Sequence, residues 1–387
     1  MLDIGRIHRN EYELENSRST PVVIAEAPGR IHFMGDQGEA DEGFFLSAAI
    51  DKSIQVAVNM RKDNSIRFFA ADLGERKRST LSNLKYRRED RWANYLKPAI
   101  ALFVELGCPL KGFNFTFCGD IPQHIALASS VAIEVAAATA LRSLLKVQIT
   151  DIDFAERLKS IHETMFASQV SLADYLVCLY ARKDQFLYID ISTNEVKLVK
   201  APFTRFKFII VDSRVPRMGV ESEIALRRSD ILKGLTFLSQ KREGAGFKDF
   251  APNDLIEALG HFPEQIRRRT MHIVEEIYRI NDAVAALERN DLASFSKIIY
   301  HSHESLRDLY EVSCPEIDWL VKRAQEFEGA AGARMTGQGF GGCTYTIIRR
   351  ELAEEFKSRM EEYERIFGFH PSVHEVKLAT RARVISK

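Results

Sequence analysis

The groups able to do chemistry in this chain gather in a glycine-rich run and two loops that open from strands. The run is Gly332-Ala333-Arg334-Met335-Thr336-Gly337-Gln338-Gly339-Phe340-Gly341-Gly342-Cys343, with five glycines inside residues 332–342. That density opposes helix and strand, because each glycine carries backbone entropy that folding must remove. It suits a place where the backbone turns sharply or another group comes very close. Gly337-x-Gly339-x-x-Gly342 satisfies the letters of the dinucleotide fingerprint, which needs a strand before it and a helix after it. Here the β-branched and aromatic residues from Cys343 to Ile348 read as a strand, so a Rossmann site is excluded. In the second stretch, Gly119-Asp120-Ile121-Pro122 turns into a loop that feeds an Ala- and Leu-rich helix over Val131 to Leu145. Ser129 and Ser130 stand where N-cap hydroxyls are expected. A loop ahead of a helix N-terminus is a natural anion site, since free N–H groups and the dipole point at the ligand. It is equally what a plain capped helix looks like. In the third stretch Arg30 ends a strand beside a loop crowded with Asp36, Glu39, Asp41 and Glu42. Those acids can accept hydrogen bonds from sugar hydroxyls, or can simply be solvated.

The elements that must hold these groups alternate between the two periodicities. Pro21 to Ala27 reads as the strand that delivers Arg30, and Ile50 to Asn59, Ser65 to Ala70 and Gly112 to Cys118 read as further strands. Arg91-Trp92-Ala93-Asn94-Tyr95 opens an apolar-periodic helix to Leu106, in which Trp92 alone reads as core. Phe186 to Asp190 and Phe206 to Ser213 are strands, with a change of domain near residue 200. Glu221 starts a helix, helical periodicity dominates Leu255 to Leu309, and His374 to Lys377 is a closing strand.

At 387 residues the chain suits two or three domains. Lys+Arg and Asp+Glu both total 54, so no global field argues for nucleic acid or an anionic membrane. Cys108, Cys118, Cys178, Cys314 and Cys343 are odd in number and lack metal-ligand spacing, as expected for reduced thiols in a cytoplasmic protein. No apolar leader and no membrane-spanning run is seen.

Arg334 to Cys343 resembles the third motif of the galactokinases, within the GHMP family of small-molecule kinases. The resemblance extends from Val22 to Leu378 and is dense at Ser302 to Asp308 and Tyr310 to Asp318. Pro28-Gly29-Arg30 matches the family's Pro-Gly-Arg, which implies Arg30 as the catalytic arginine. In the sugar-holding signature that follows, Asp36 stands for a Glu, Gln37 for a His and Glu39 for an Asp, and Gly43 keeps the last glycine. The second motif is kept at Gly119 to Pro122, Leu127, Ser129-Ser130 and Glu134-Val135-Ala136. His124 and Ala126 replace its two glycines. It implies a phosphate loop of His124, Ala126, Leu127, Ala128, Ser129 and Ser130. Should a non-glycine there need positive φ, the cost is about 1–2 kcal/mol. The segment from Ile161 to Tyr175 is similar to the one that supplies a magnesium-binding Glu and then the catalytic Asp. Asp174 falls on the Asp. The magnesium position falls on His162, whereas magnesium prefers oxygen ligands. The implied metal ligands are therefore Ser130 and, by a one-residue shift, Glu163. Ile224 stands where the family carries a sugar-contacting Tyr, and Gly337, Gly339, Gly341 and Gly342 are implied to shape the pocket.

The resemblance implies an α+β fold, a two-domain GHMP kinase fold with the active site in the inter-domain cleft. Residues 1–200 would carry the ATP loop and the catalytic pair, and residues 201–387 the glycine-rich motif. It implies ATP- and Mg2+-dependent phosphorylation of a sugar, galactose or a related hexose, at the anomeric hydroxyl. The Asp would accept or orient the hydroxyl proton, while the Arg keeps that carboxylate ionised. The changes at Asp36, Gln37, Glu39 and Ile224 predict weak phosphorylation of galactose itself. Together with the lost glycines and His162, Ile224 leaves a second reading, a catalytically weakened homologue that senses a sugar or nucleotide for a partner. The sequence sets no oligomeric state.

Overall fold

Long strands with few polar positions dictate the first layer. The computed structural model describes residues 3–14, 21–37, 43–122, 125–241, 246–257 and 263–386. β1 (Val23–Met34) and β2 (Phe44–Met60) are buried almost throughout, as strands covered on both faces are. β3 (Ser65–Ala70), β4 (Glu75–Thr80), β5 (Phe113–Gly119), β6 (Gln185–Asp190) and β7 (Glu195–Lys200) extend the sheet. β2 is long enough to serve two partners, pairing β6 at Phe44 to Ser47 and β5 at Ile54 to Met60. A second, four-stranded sheet is built from β8 (Phe206–Asp212), β9 (Ala330–Thr336), β10 (Cys343–Arg349) and β11 (Ser372–Val376), in the order β11-β8-β10-β9. β12 (Arg383–Ser386) then returns to the first sheet and pairs antiparallel with β1.

Helices cover both sheets. α1 (Ile4–Glu11), α2 (Lys97–Glu105), α3 (Ser129–Leu145), α4 (Asp151–Phe166) and α5 (Leu172–Tyr180) belong to the first half. α3 packs on β1 and β2, and its buried alanines Ala132, Ala136, Ala137 and Ala140 let it lie close to the strands. α6 (Val220–Lys241), α7 (Pro252–Glu257), α8 (Glu264–Glu288), α9 (Leu292–Ser305), α10 (Pro315–Gln325), α11 (Ala353–Arg359) and α12 (Glu361–Phe367) belong to the second. The two halves share a dry aromatic core. Phe33 of β1 lies 4.7 Å from Tyr345 of β10 and 5.7 Å from Phe208 of β8 between ring centroids. Tyr345 Oη also donates to the Phe33 carbonyl at 2.9 Å.

Three departures from the sequence reading have physical reasons. β1 does not stop near Ala27 but continues to Met34, because a register shift between Pro28 and Arg30 accommodates a residue without an N–H. The helix expected from Arg91 is divided. A 3-10 segment over Arg88–Leu96 precedes α2, whose first turn holds Pro98. The helical stretch from Leu255 to Leu309 breaks at Asn290, where φ is 58°, and restarts with Asp291 capping Ser294 N at 3.0 Å.

Candidate active site

A cavity of about 530 Å³ lies where β1, the β5–α3 loop, α5, α6 and the glycine run converge. Arg30 sits on β1 and Asp174 in the first turn of α5, which Ser171 caps by accepting from Ala173 N at 3.1 Å. The strand and the helix bring the pair together from 144 residues apart: Arg30 Nε donates to Asp174 Oδ1 at 2.5 Å. His32 Nε2 meets the same oxygen at 2.8 Å, and its Nδ1 lies 2.7 Å from Ser47 Oγ. Among the described residues no donor reaches Asp174 Oδ2. Burial pushes the Asp174 carboxyl up, but the Arg30 guanidinium and His32 outweigh it and hold the group well below the usual carboxylate range. Burial and the Arg30 charge lower the His32 pKa against the Asp174 carboxylate, so its ring is neutral.

Opposite this corner lies the β5–α3 loop. Ala126, Leu127, Ala128, Ser129 and Ser130 all line the cavity. Ser129 and Ser130 are not the N-cap residues. Ala128 holds that position at φ 58° and ψ 39°, and no side chain caps the helix. The left-handed turn points the chain into α3 and leaves its first N–H groups without a side-chain acceptor, which is the donor set an anion needs. Ala126 also sits at φ 58°. One of the positions that had lost its glycine therefore does hold a backbone that favours glycine. Arg30 spans both regions, since its Nη1 donates to the Ala126 carbonyl and its backbone N to the Leu127 carbonyl at 3.2 Å. His124 lies outside the described residues.

The glycine run closes the third wall. Gly337, at φ 92°, lines the cavity, and a Cβ there would stand 2.8 Å from Ala126 Cβ. Gly339, Gly341 and Gly342 do not line it. At Gly339 a Cβ would come within 2.5 Å of the Val312 carbonyl, and at Gly341 within 2.9 Å of Val215, so these two shape the wall from behind. Asp36 is committed to this run: Oδ1 accepts from Gly337 N at 2.7 Å and Oδ2 from Arg334 Nη1 at 2.6 Å. Gln37 Nε2 donates to the Gly337 carbonyl at 3.1 Å. Both residues line the cavity, as does Ile224 of α6. Glu39 lies outside the described residues.

Glu163 is not brought in. It is not among the cavity-lining residues, and its Oε1 accepts from Lys159 one helical turn away at 2.8 Å. His162 is buried nearby with Nδ1 at 2.6 Å from Glu134 Oε1, and Tyr175 Oη donates to Glu134 Oε2 at 2.6 Å. These three side chains knit α3, α4 and α5 together. Among the described residues no three of His, Cys, Asp and Glu form a metal-holding group.

Several cavity residues were not singled out from the sequence. His32 had no signal beyond standing two positions after Arg30. Arg217 contributes a charge whose buried Nε has no partner among the described residues. Arg228 of α6 donates to Gln169, closing one rim. Trp92 read as core, yet its indole lines the cavity near Phe117 and its Nε1 donates to Glu75 at 2.8 Å.

The family models described as GHMP kinases N terminal domain and GHMP kinases C terminal match residues 94–182 and 283–365. That described as galactokinase galactose-binding signature matches residues 10–60. A chain of Treponema pallidum (strain Nichols) is 35% identical over 100% of this chain and 98% of its own length. The galactokinase of Roseiflexus sp. (strain RS-1) is 32% identical over 92% of this chain and 90% of its own. The galactokinase of Lactococcus lactis, solved with galactose, superposes with a TM-score of 0.90 at 22% identity, covering 99% of this chain and all of that one. The fold is thus that of a small-molecule kinase, shared with mevalonate kinase at a TM-score of 0.66. Within that class the chain belongs to the galactokinases, and it is a phosphotransferase acting on a sugar. Among the described residues no helix is long and apolar enough to cross a membrane.

Proposed function

We propose that the chain transfers the γ-phosphoryl group of ATP to the anomeric hydroxyl of a hexose, galactose or a close relative. The observation that carries this is the Arg30–Asp174 pair facing, across one cavity, a helix N-terminus with unclaimed N–H groups. The acceptor hydroxyl donates to Asp174 Oδ2, the oxygen that no donor reaches among the described residues, and is thereby aimed at the γ-phosphorus. With its basicity reduced by Arg30 and His32, Asp174 orients the hydroxyl early and takes its proton as the bond to phosphorus forms. The N–H groups opening α3 and the Arg217 charge bind the triphosphate oxygens, and Arg30 offsets charge that develops between donor and acceptor.

Magnesium supplies charge neutralisation of the triphosphate when bound. The Ser130 hydroxyl fits one position in such a shell, beside phosphate oxygens and water. Glu163, paired with Lys159 and outside the cavity lining, does not fit, and no step above depends on it.

Nothing in the site favours a sensor over an enzyme, since the catalytic pair is complete. The altered acceptor side supports a changed sugar preference. Asp36 spends both oxygens on Gly337 and Arg334, Gln37 gives its Nε2 to the Gly337 carbonyl, and the Ile224 side chain offers no hydrogen bond. A site lacking the expected partners loses about 1–3 kcal/mol for each one. A coupled ADP-release assay across galactose, glucose, talose and N-acetylgalactosamine tests the proposal. At least one hexose is expected to raise ADP release, its 1-deoxy analogue none, and galactose is expected to need high concentration. Failure of every hexose would overturn the proposal, and efficient turnover of galactose would overturn its specificity part.

A further inference from the structure

We infer that His32 is a positioning residue for this transfer, holding the Asp174 carboxylate by one oxygen so that the other faces the acceptor hydroxyl. The inference rests on Asp174 being the residue that receives that hydroxyl. Arg30 and His32 are two residues apart on a strand whose register is regular between them, so their side chains leave the same face. Both converge on Asp174 Oδ1, from Nε at 2.5 Å and Nε2 at 2.8 Å. A carboxylate held by a single donor can rotate and exchange its oxygens. Two donors arriving on Oδ1 from separate side chains fix its plane and leave Oδ2 directed into the cavity.

The ring itself is fixed from three sides. Ser47 is the cross-strand partner of His32 in the β1–β2 ladder, and its fully buried hydroxyl lies 2.7 Å from Nδ1. An ionised carboxylate only accepts, so Nε2 carries the proton and Nδ1 accepts from Ser47 Oγ–H. The Phe45 ring packs against the imidazole with centroids 5.0 Å apart. Thr336 Oγ1, from the strand that leads into the glycine run, donates to the His32 carbonyl at 3.0 Å. The charged groups that face the ring are Arg30, Asp174 and Asp36, of which Arg30 opposes protonation and both acids favour it. Burial, the strongest influence on the ring, joins Arg30 in lowering its pKa, so His32 works as a neutral donor and not as a second cation. A histidine that merely filled the core would need neither the fixed tautomer nor the contact with Asp174.

The test uses the full chain with three substitutions and two readouts. His32→Leu removes the donor while keeping bulk, His32→Gln offers an amide N–H near the position of Nε2, and Ser47→Ala releases the tautomer. His32→Leu is expected to lower kcat roughly 30-fold, the scale of one hydrogen bond to a charged group, while KM for ATP moves less than about twofold. His32→Gln is expected to recover most of that loss, and Ser47→Ala to lose about fivefold. In 15N-histidine NMR spectra at neutral pH His32 should be a neutral Nε2–H tautomer, and it should titrate at lower pH than an ordinary histidine. Unchanged kcat in a folded His32→Leu, no recovery in a folded His32→Gln, or an Nδ1–H tautomer would each overturn the inference alone. A wild type that turns over no hexose would sink the kinase proposal and this inference with it.

Discussion

The proposed catalytic corner and the proposed phosphate loop face each other across one cavity and are built in opposite ways. Around Asp174 the ligands are over-determined: one oxygen takes two donors, and each donor is fixed by a further contact to Ser47 or the loop carbonyls. The loop has two alanines in the left-handed region, at residues 126 and 128, and no side-chain cap on the helix it opens. Each such alanine costs on the order of 1 kcal/mol relative to an ordinary backbone. The conformation persists because Arg30 holds the Ala126 and Leu127 carbonyls and because Gly337 has no Cβ to collide with Ala126. The β5–α3 loop thus holds a glycine-like shape without glycine because its neighbours supply the constraint. One arginine serves both regions, so substitutions should separate them.

The largest effect is expected at the corner. On the proposed mechanism, in which the carboxylate acts on the acceptor in the transition state, Asp174→Asn should lower kcat by about a thousandfold or more, yet leave the affinity for Mg-ATP within about threefold. Coupled ADP release and calorimetric titration measure the two quantities. Arg30→Met should lose both turnover and nucleotide affinity, since it also releases the Ala126 carbonyl. If Arg30→Met bound nucleotide like the wild type, the two regions would be independent after all.

Next in size is the clasp that holds the glycine run against β1. Arg334 is fully buried and bridges Asp36 at 2.6 Å and Glu276 at 3.3 Å. Arg334→Met would leave buried Asp36 without its cation and Glu276 with Arg279 alone, and should destabilise the fold by about 3–5 kcal/mol, read from urea unfolding. The same network gives a pH signature. Burial opposes ionisation of Glu276, but Arg279 and Arg334 prevail and bring its pKa down from 4.5 to about 2. A group whose folded pKa is depressed stabilises the fold above its unfolded value and loses that contribution as pH falls through the folded one. Thermal stability of the wild type should therefore fall between about pH 4.5 and pH 2, and Arg334→Met, which brings the folded pKa back toward the unfolded one, should make that loss smaller.

How much of this was legible in the sequence follows from the distance over which each feature is encoded. Arg30, Asp174 and the glycine run carry local motifs, β1 and β8 announce themselves by apolar runs, and β5 and the second half of β2 by alternation. His32 stayed hidden because its meaning depends on Asp174, 142 residues away. Glu163 was drawn toward the metal by its place next to His162. Yet Lys159 stands four residues earlier on the same helix and claims the carboxylate. Ser129 and Ser130 suggested a cap because serine is a good cap, while an alanine gives no sign that it adopts a left-handed conformation. β4 is polar throughout, and β7 and β12 are short and largely exposed, so none of them carries a long buried apolar pattern.

The smallest effect tests the loop itself, through Ala128→Gly and Ala126→Gly. Glycine relieves the left-handed strain at either site, about 1 kcal/mol, but enlarges the freedom of the unfolded chain by about 0.4–1 kcal/mol. At Ala128 the balance should be a gain of a few tenths of a kcal/mol. At Ala126 the methyl group also packs toward Gly337, where any larger residue would clash, so its removal loses contact and the net change should be near zero. Thermal unfolding distinguishes the two. If the loop is already held in its working shape, neither substitution should tighten Mg-ATP by more than about threefold in calorimetric titration. A tenfold gain from Ala126→Gly would show instead that its methyl group crowds the phosphate path, and that the constraint from Arg30 does not substitute for the missing glycine.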